Sequence, residues 1–191
     1  MPLSLRFFLL FACLSLFGGC ATLVAPLSTQ PQDMNHGDRT WGAFFEDAAI
    51  EHKIRVNLLR ELPQDNNAHI VVVSFNGSVL LTGEVPSDSI KTQAGQIAKR
   101  IRHVQQVYNE LQVQGNISTL VRMSDAWLTT KAKLRLLVSS STPGNRTKVV
   151  TENGTIYLMG LLTRAEADQV VAQMQKVAGA QHIVKIIEYI D

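Results

Sequence analysis

The chain of 191 residues is 46% hydrophobic and 18% charged, with 18 Lys+Arg against 16 Asp+Glu. That length allows one domain or two small ones, and the apolar share excludes a disordered chain. A net charge of +2 leaves no broad basic surface for nucleic acid, and two cysteines make neither a disulfide framework nor a zinc–thiolate cluster.

The first segment reads as an address. Arg6 is a thin basic region, and Phe7–Phe17 is an uncharged apolar run. That run is too short to cross a hydrocarbon core of about 30 Å as a helix, and it fits a secretory signal peptide over residues 1–19. Gly18 and Gly19 stand directly before Cys20. Small residues before a cysteine resemble the bacterial lipobox, although Phe17 occupies the place where a lipobox usually carries Leu. The alternative is an ordinary cleavage site beside a chance cysteine. On the lipobox reading Cys13 is discarded and Cys20 is the acylated mature N-terminus. Several acyl chains anchor a domain stably, because each buried methylene contributes about 0.8 kcal/mol. Ala21 rather than Asp after the cysteine points, by the same resemblance, to the outer membrane and its periplasmic face. Residues 20–45, with Pro26, Pro31 and Gly37, read as a tether. A flexible chain of this length reaches about 25–30 Å.

The remainder is one unit written twice. Asn76-Gly77-Ser78-Val79-Leu80-Leu81-Thr82-Gly83 matches Asn153-Gly154-Thr155-Ile156-Tyr157-Leu158-Met159-Gly160. Upstream, Asp47, Ile50, Lys53, Val56, Leu58 and Leu59 match Asp125, Leu128, Lys131, Leu134, Leu136 and Leu137; downstream, Val104 and Val107 match Ala180 and Ile183. The spacing drifts only by single residues.

The repeat predicts a helix over 45–62 and again over 125–139, with Ser124 and Asp125 as N-cap candidates. A β-branched strand follows at 70–75 or 148–151, then Asn-Gly as a hairpin turn. Return strands are expected at 79–85 and 156–162, second helices at 88–102 and 164–177, and closing strands at 104–113 and 182–190. The fold class is α+β: two tandem αββαβ domains, 46–114 and 124–191, joined by a linker over 115–123, with helices on one face of small three-stranded sheets. Gly83 and Gly160 inside return strands mark a bulge or a close backbone approach, for which a crossing helix is one cause and a bound ligand the other.

The Asn-Gly strand pair, the apolar-x-Gly return strand and the closing helix-strand with spaced valines resemble BON domains. The likeness is densest at 127–131 and 151–163, and His103 replaces a glycine that the family often has there and that copy two keeps as Gly179. Two such units behind a lipobox resemble the dual-BON lipoproteins of Gram-negative bacteria, the DolP family. The resemblance implies an outer-membrane-anchored periplasmic protein that binds anionic phospholipid and supports envelope integrity.

Catalytic signals do not appear. His36, His52, His69, His103 and His182 form no i, i+4 pair and no HExxH, so no metal is expected. No GxSxG, P-loop or GxGxxG occurs, and no cofactor or enzymatic activity is expected. Glu46-Asp47 and Glu166/Asp168 fall at helix starts, where carboxylates complement the macrodipole.

The difference between the copies carries the functional reading. Ile50, Ile54 and Leu58 form the core stripe of the first helix, and Leu128, Ala132 and Leu136 repeat it. On the neighbouring stripe copy one has Ala49, Val56 and Arg60, whereas copy two has Trp127, Leu134 and Val138, with Leu137 widening the arc. Lys131, Lys133 and Arg135 are interspersed. Trp127, Leu134, Leu137 and Val138 are therefore expected to enter a membrane interface, and Lys131, Lys133 and Arg135 to meet anionic phospholipid headgroups. Two alternatives stay open: Trp127 and Leu134 pack between the domains, or the surface docks an envelope or division-site protein.

Overall fold

The structure, a computed structural model, describes residues 37–63, 67–115, 118–139 and 142–191. The signal segment, Cys20 and most of the tether lie outside the described residues. The elements are α1 (Trp41–Glu61), β1 (His69–Phe75), β2 (Ser78–Val85), α2 (Asp88–Lys99), β3 (Gln106–Asn109), β4 (Gln112–Val113), α3 (Thr119–Val138), β5 (Thr147–Glu152), β6 (Thr155–Leu162), α4 (Arg164–Met174) and β7 (His182–Tyr189).

Each copy folds as the repeat predicts. In the first, β2 lies between β1, antiparallel, and β3 with β4, parallel. In the second, β6 lies between antiparallel β5 and parallel β7. The hairpins turn on Asn76 and Gly77 (φ 50° and 75°) and on Asn153 and Gly154 (φ 47° and 72°). Positive φ at both central residues gives the turn the twist of its strands, and Asn and Gly tolerate it. Ile50, Ile54 and Leu58 of α1 pack with Val72, Val79 and Leu81 in one core; Leu128, Ala132 and Leu136 of α3 pack with Ile156, Leu158 and Leu162 in the other.

The helices begin earlier than expected. Thr40 caps α1, its hydroxyl accepting from the Ala43 N–H at 3.1 Å, and Ser118 stands at the cap of α3. Residues 41–45 and 119–123, read as tether and linker, are helical. α1 ends before Pro63, whose ring disfavours helical geometry at Leu62. Ser124 and Asp125 therefore cap nothing, and Asp47 does not serve the α1 dipole. Both aspartates are buried mid-helix. Asp125 accepts from the backbone N–H groups of Asn153 and Gly154, each at 2.8 Å. Asp47 does the same for Asn76 at 2.8 Å and Gly77 at 2.9 Å. In each copy a helix carboxylate thus holds the hairpin turn.

Gly83 has φ 115°, and a Cβ there would lie 2.1 Å from the His69 carbonyl oxygen. The cause is the neighbouring strand rather than a crossing helix. Opposite this distortion the closing strand of copy one splits into β3 and β4. Gly160 has no positive φ, and β7 pairs with β6 without a break.

The two domains dock through their sheets. Val73, Phe75 and Leu80 of the first pack against Tyr157, Met159, Leu161 and Ile186 of the second. Burying each such side chain contributes about 1.5–3 kcal/mol, more than the rim contacts at about 1 kcal/mol each. The rim is reciprocal. Asn76 of the first turn donates to Glu188 on β7 at 3.1 Å, and Asn153 of the second turn donates to Gln112 on β4 at 3.2 Å. Trp127 and Leu134 take no part in this docking and remain exposed.

Candidate membrane-contact site

α3 carries its core residues Leu128, Ala132 and Leu136 on one side. On the other side Leu120, Met123, Trp127, Leu134, Leu137 and Val138 stay exposed, with Trp127 at 64% and Leu137 at 71%. Their spacing of three, four and seven residues makes one stripe along five helical turns. The second domain's own core and the sheet–sheet interface are complete without it, so the surplus apolar surface is turned to the outside.

The cations flank this stripe, and they differ. Lys133 is exposed. Arg135 is exposed and its Nε donates to the Gln173 side chain on α4 at 3.2 Å. Lys131 is half-buried, and its ammonium donates to the Ala178 carbonyl in the loop after α4. All four apolar residues expected from sequence are exposed on one helix with these cations. Leu120 and Met123 were hidden by reading 115–123 as linker; continuing the helical spacing upstream of Trp127 reaches both.

A second exposed apolar group lies at the start of α1. Trp41, Phe44 and Phe45 form edge-to-face pairs with ring centres 6.4 and 5.8 Å apart. A groove of about 430 Å³ runs from Phe44 and Glu51 to Lys133 and Leu137, so it joins this cluster to the α3 stripe.

At the sheet–sheet rim a polar cluster interrupts the apolar contact. His69 and Glu84 are a directly opposed pair on β1 and β2, and Glu152 of β5 faces them. His69 Nε2 is 3.8 Å from Glu152 Oε1, and the Arg122 guanidinium is 3.6 Å from Glu84 Oε2. Burial, with the charges of Glu84 and Asp125, pushes the Glu152 carboxyl up to about 7 against the pull of Arg122. Burial and Arg122 hold His69 below its usual range, with Glu84 opposing.

The BON domain family model matches this chain twice, over residues 46–115 and 124–191. The chain belongs to the BON-domain family. It is 31% identical over 179 residues to the outer membrane lipoprotein DolP of Haemophilus influenzae, covering 94% of this chain and 89% of that protein. It is 32% identical over 163 residues to the 21 kDa hemolysin of Actinobacillus pleuropneumoniae, covering 82% and 84%. A solved domain, the C-terminal domain of the type III secretion structural protein CdsD of Chlamydia trachomatis, aligns over 73% of this chain and 96% of its own at 14% identity and a TM-score of 0.31.

This BON protein is an outer-membrane lipoprotein of the cell envelope, of the DolP kind. No described helix is long and apolar enough to cross a membrane. The BON matches open at 46 and 124, after α1 and α3 have begun. Trp41, Phe44 and Phe45, and likewise Leu120 and Met123, sit in helical turns added in front of the matched domains.

Proposed function

We propose that this protein is a non-enzymatic binding protein, anchored through acylated Cys20 to the periplasmic face of the outer membrane, whose α3 engages anionic phospholipid. The observation that carries the reading is the exposed stripe Leu120–Val138, turned away from its own core and flanked by Lys131, Lys133 and Arg135. The indole of Trp127 suits the headgroup boundary, apolar in its ring and polar at its N–H. Each cation near an anionic leaflet contributes about 1 kcal/mol, and each buried apolar side chain about 1.5–3 kcal/mol. Such a contact is weak alone. On a chain already tethered to the same membrane it becomes an intramolecular event. The anchor supplies attachment and α3 supplies the choice of lipid. Because Lys131 and Arg135 also hold α4 and its loop, headgroups compete for them, and Lys133 is the readiest contact.

A chain lacking residues 1–20 should bind phosphatidylglycerol vesicles, and Trp127→Glu should abolish binding. Equal affinity for phosphatidylcholine vesicles, or no effect of the substitution, would sink the reading. The cluster Trp41, Phe44 and Phe45 favours a second role, docking of an envelope or division-site protein. Partner capture in that case survives Trp127→Glu and is lost with Phe45→Glu.

A further inference from the structure

The rim cluster differs from the rest of the interface in a way the fold does not require. The repeat that pairs Asn76 with Asn153 and Gly83 with Gly160 also pairs Glu84 with Leu161, Glu152 with Phe75 and His69 with Arg146. At the equivalent place on the other side of the interface, Phe75 and Leu161 are buried in the sheet–sheet core. The docking geometry is satisfied there by apolar side chains. Placing two carboxylates in such a position costs desolvation that hydrogen bonds must offset.

They do not offset it. Glu84 is 1% exposed, and neither of its carboxylate oxygens has a hydrogen-bond partner. The Arg122 contact at 3.6 Å is beyond hydrogen-bond reach. Three carboxyl groups, Glu84, Glu152 and Asp125, act on this point against one guanidinium, that of Arg122. Asp125 is occupied by the hairpin turn, which leaves the other two carboxylates free to ligate.

We infer that His69, Glu84 and Glu152 form a divalent metal site of the zinc class that ties the two BON domains together. One ligand atom from each residue lies within 4.8 Å of the others. Zinc bonds to nitrogen and oxygen of about 2.0–2.2 Å place tetrahedral ligands roughly 3.4 Å apart, so the gaps between ligand atoms must close by up to about 1.4 Å. His69 supplies an imidazole nitrogen, which suits zinc and not the oxygen-preferring magnesium or calcium. Three protein ligands leave a fourth position for water. The half-exposed His69 at the start of β1 provides the entry path. His69 and Glu84 belong to the first domain and Glu152 to the second, so the metal would brace their docking independently of lipid contact.

The test uses the full-length lipoprotein in detergent, without a polyhistidine tag, titrated with ZnCl2, MgCl2 or CaCl2. One equivalent of Zn2+ should bind and raise the Tm, and EDTA should reverse both. Glu84→Gln, Glu152→Gln and His69→Ala should each weaken binding at least about 100-fold, while His103→Ala, at the surface pair with Glu46, should leave it unchanged. If Glu84→Gln fails to fold, His69→Ala at the half-exposed strand end reads the same site. Co2+ should give the visible spectrum of a tetrahedral site in the parent chain and lose it in His69→Ala. Absence of stoichiometric Zn2+ binding at micromolar metal, binding that all three ligand substitutions leave intact, or equal binding of Ca2+ would overturn the inference.

Discussion

Lys148 of the second domain places its ammonium 3.0 Å from Oε1 of Glu51 in the first, 97 residues away in the chain. The same ammonium donates to the Ser74 carbonyl at 3.1 Å, and Glu51 also accepts from the Ser74 N–H at 2.9 Å and from Arg55 at 2.8 Å. This small network joins α1, β1 and β5 and lines one wall of the groove that leads to α3.

Burial raises the Glu51 carboxyl, but the Ser74 N–H, Lys148 and Arg55 together win and hold it below its ordinary value of 4.5. A carboxylate depressed by folding contributes stability that is fully present above the unfolded value and is lost as pH falls through the folded one. Glu51→Gln should therefore cost about 1–2 kcal/mol at pH 7. The gap between variant and parent should close as urea melts are repeated at pH values falling below 4.5. A gap that widened on acidification would contradict this sign.

Asp125→Ala should destabilise the protein by about 2–4 kcal/mol, since two half-buried N–H groups of the second hairpin lose a charged acceptor. Asp47→Ala should cost at least as much, because Asp47 also accepts from the Ser74 hydroxyl at 2.7 Å and from Arg39 at 3.0 Å. Equilibrium urea unfolding measures both.

The matched glycines should respond differently. Gly83→Ala puts a methyl 2.1 Å from a backbone oxygen at φ 115° and should cost at least about 2 kcal/mol. Gly160→Ala meets its nearest backbone oxygen at 3.0 Å with no positive φ, and a shift of a few tenths of an ångström relieves it, so its cost should be the smaller. The Tm order parent, Gly160→Ala, Gly83→Ala is the expected result.

Adjacent leucines on α3 separate core from surface. Leu136 is 2% exposed, and Leu136→Ala should cost about 2–5 kcal/mol. Leu137→Ala should change stability by no more than about 0.5 kcal/mol, yet lower partitioning onto phosphatidylglycerol vesicles. Urea melts and vesicle co-sedimentation on the same two variants give both readings.

What was legible in the sequence followed local rules. Asn-Gly dictates a hairpin, and Ile50, Ile54 and Leu58 dictate a buried helix face, so both copies and their order could be read. The docking of the sheets was not read: the sequence offered only a contact through Trp127 and Leu134, whereas the sheet faces make it. Thr155–Leu162 is buried at every position, and its sequence lacks the alternation of a strand with one wet face, because both faces are covered. The task of Asp47 and Asp125 was not legible: an aspartate before an apolar stripe looks like a helix start, and only the fold brings the hairpin turn over it. The rim cluster was hidden for the same reason, since its three side chains come from three strands and obey no spacing rule. On α3 the exposed stripe could be read from Trp127 onward, because its surplus over copy one stands in the sequence. Which cations remain free could not be, because Ala178 and Gln173 meet them only in three dimensions.

The reciprocal rim, Asn76 with Glu188 and Asn153 with Gln112, is a contact that two identical chains could make with each other. Two separate copies would have to place the same residue on both sides, and any change would be inherited by both. Fusion into one polypeptide lifts that constraint. A carboxylate can stand at Glu152 while its counterpart remains a phenyl ring at Phe75, and a tryptophan can stand on one outer helix without a twin on the other. The tandem arrangement thus lets a self-complementary pair specialise, one half free to expose an apolar helix face while the other keeps a different surface.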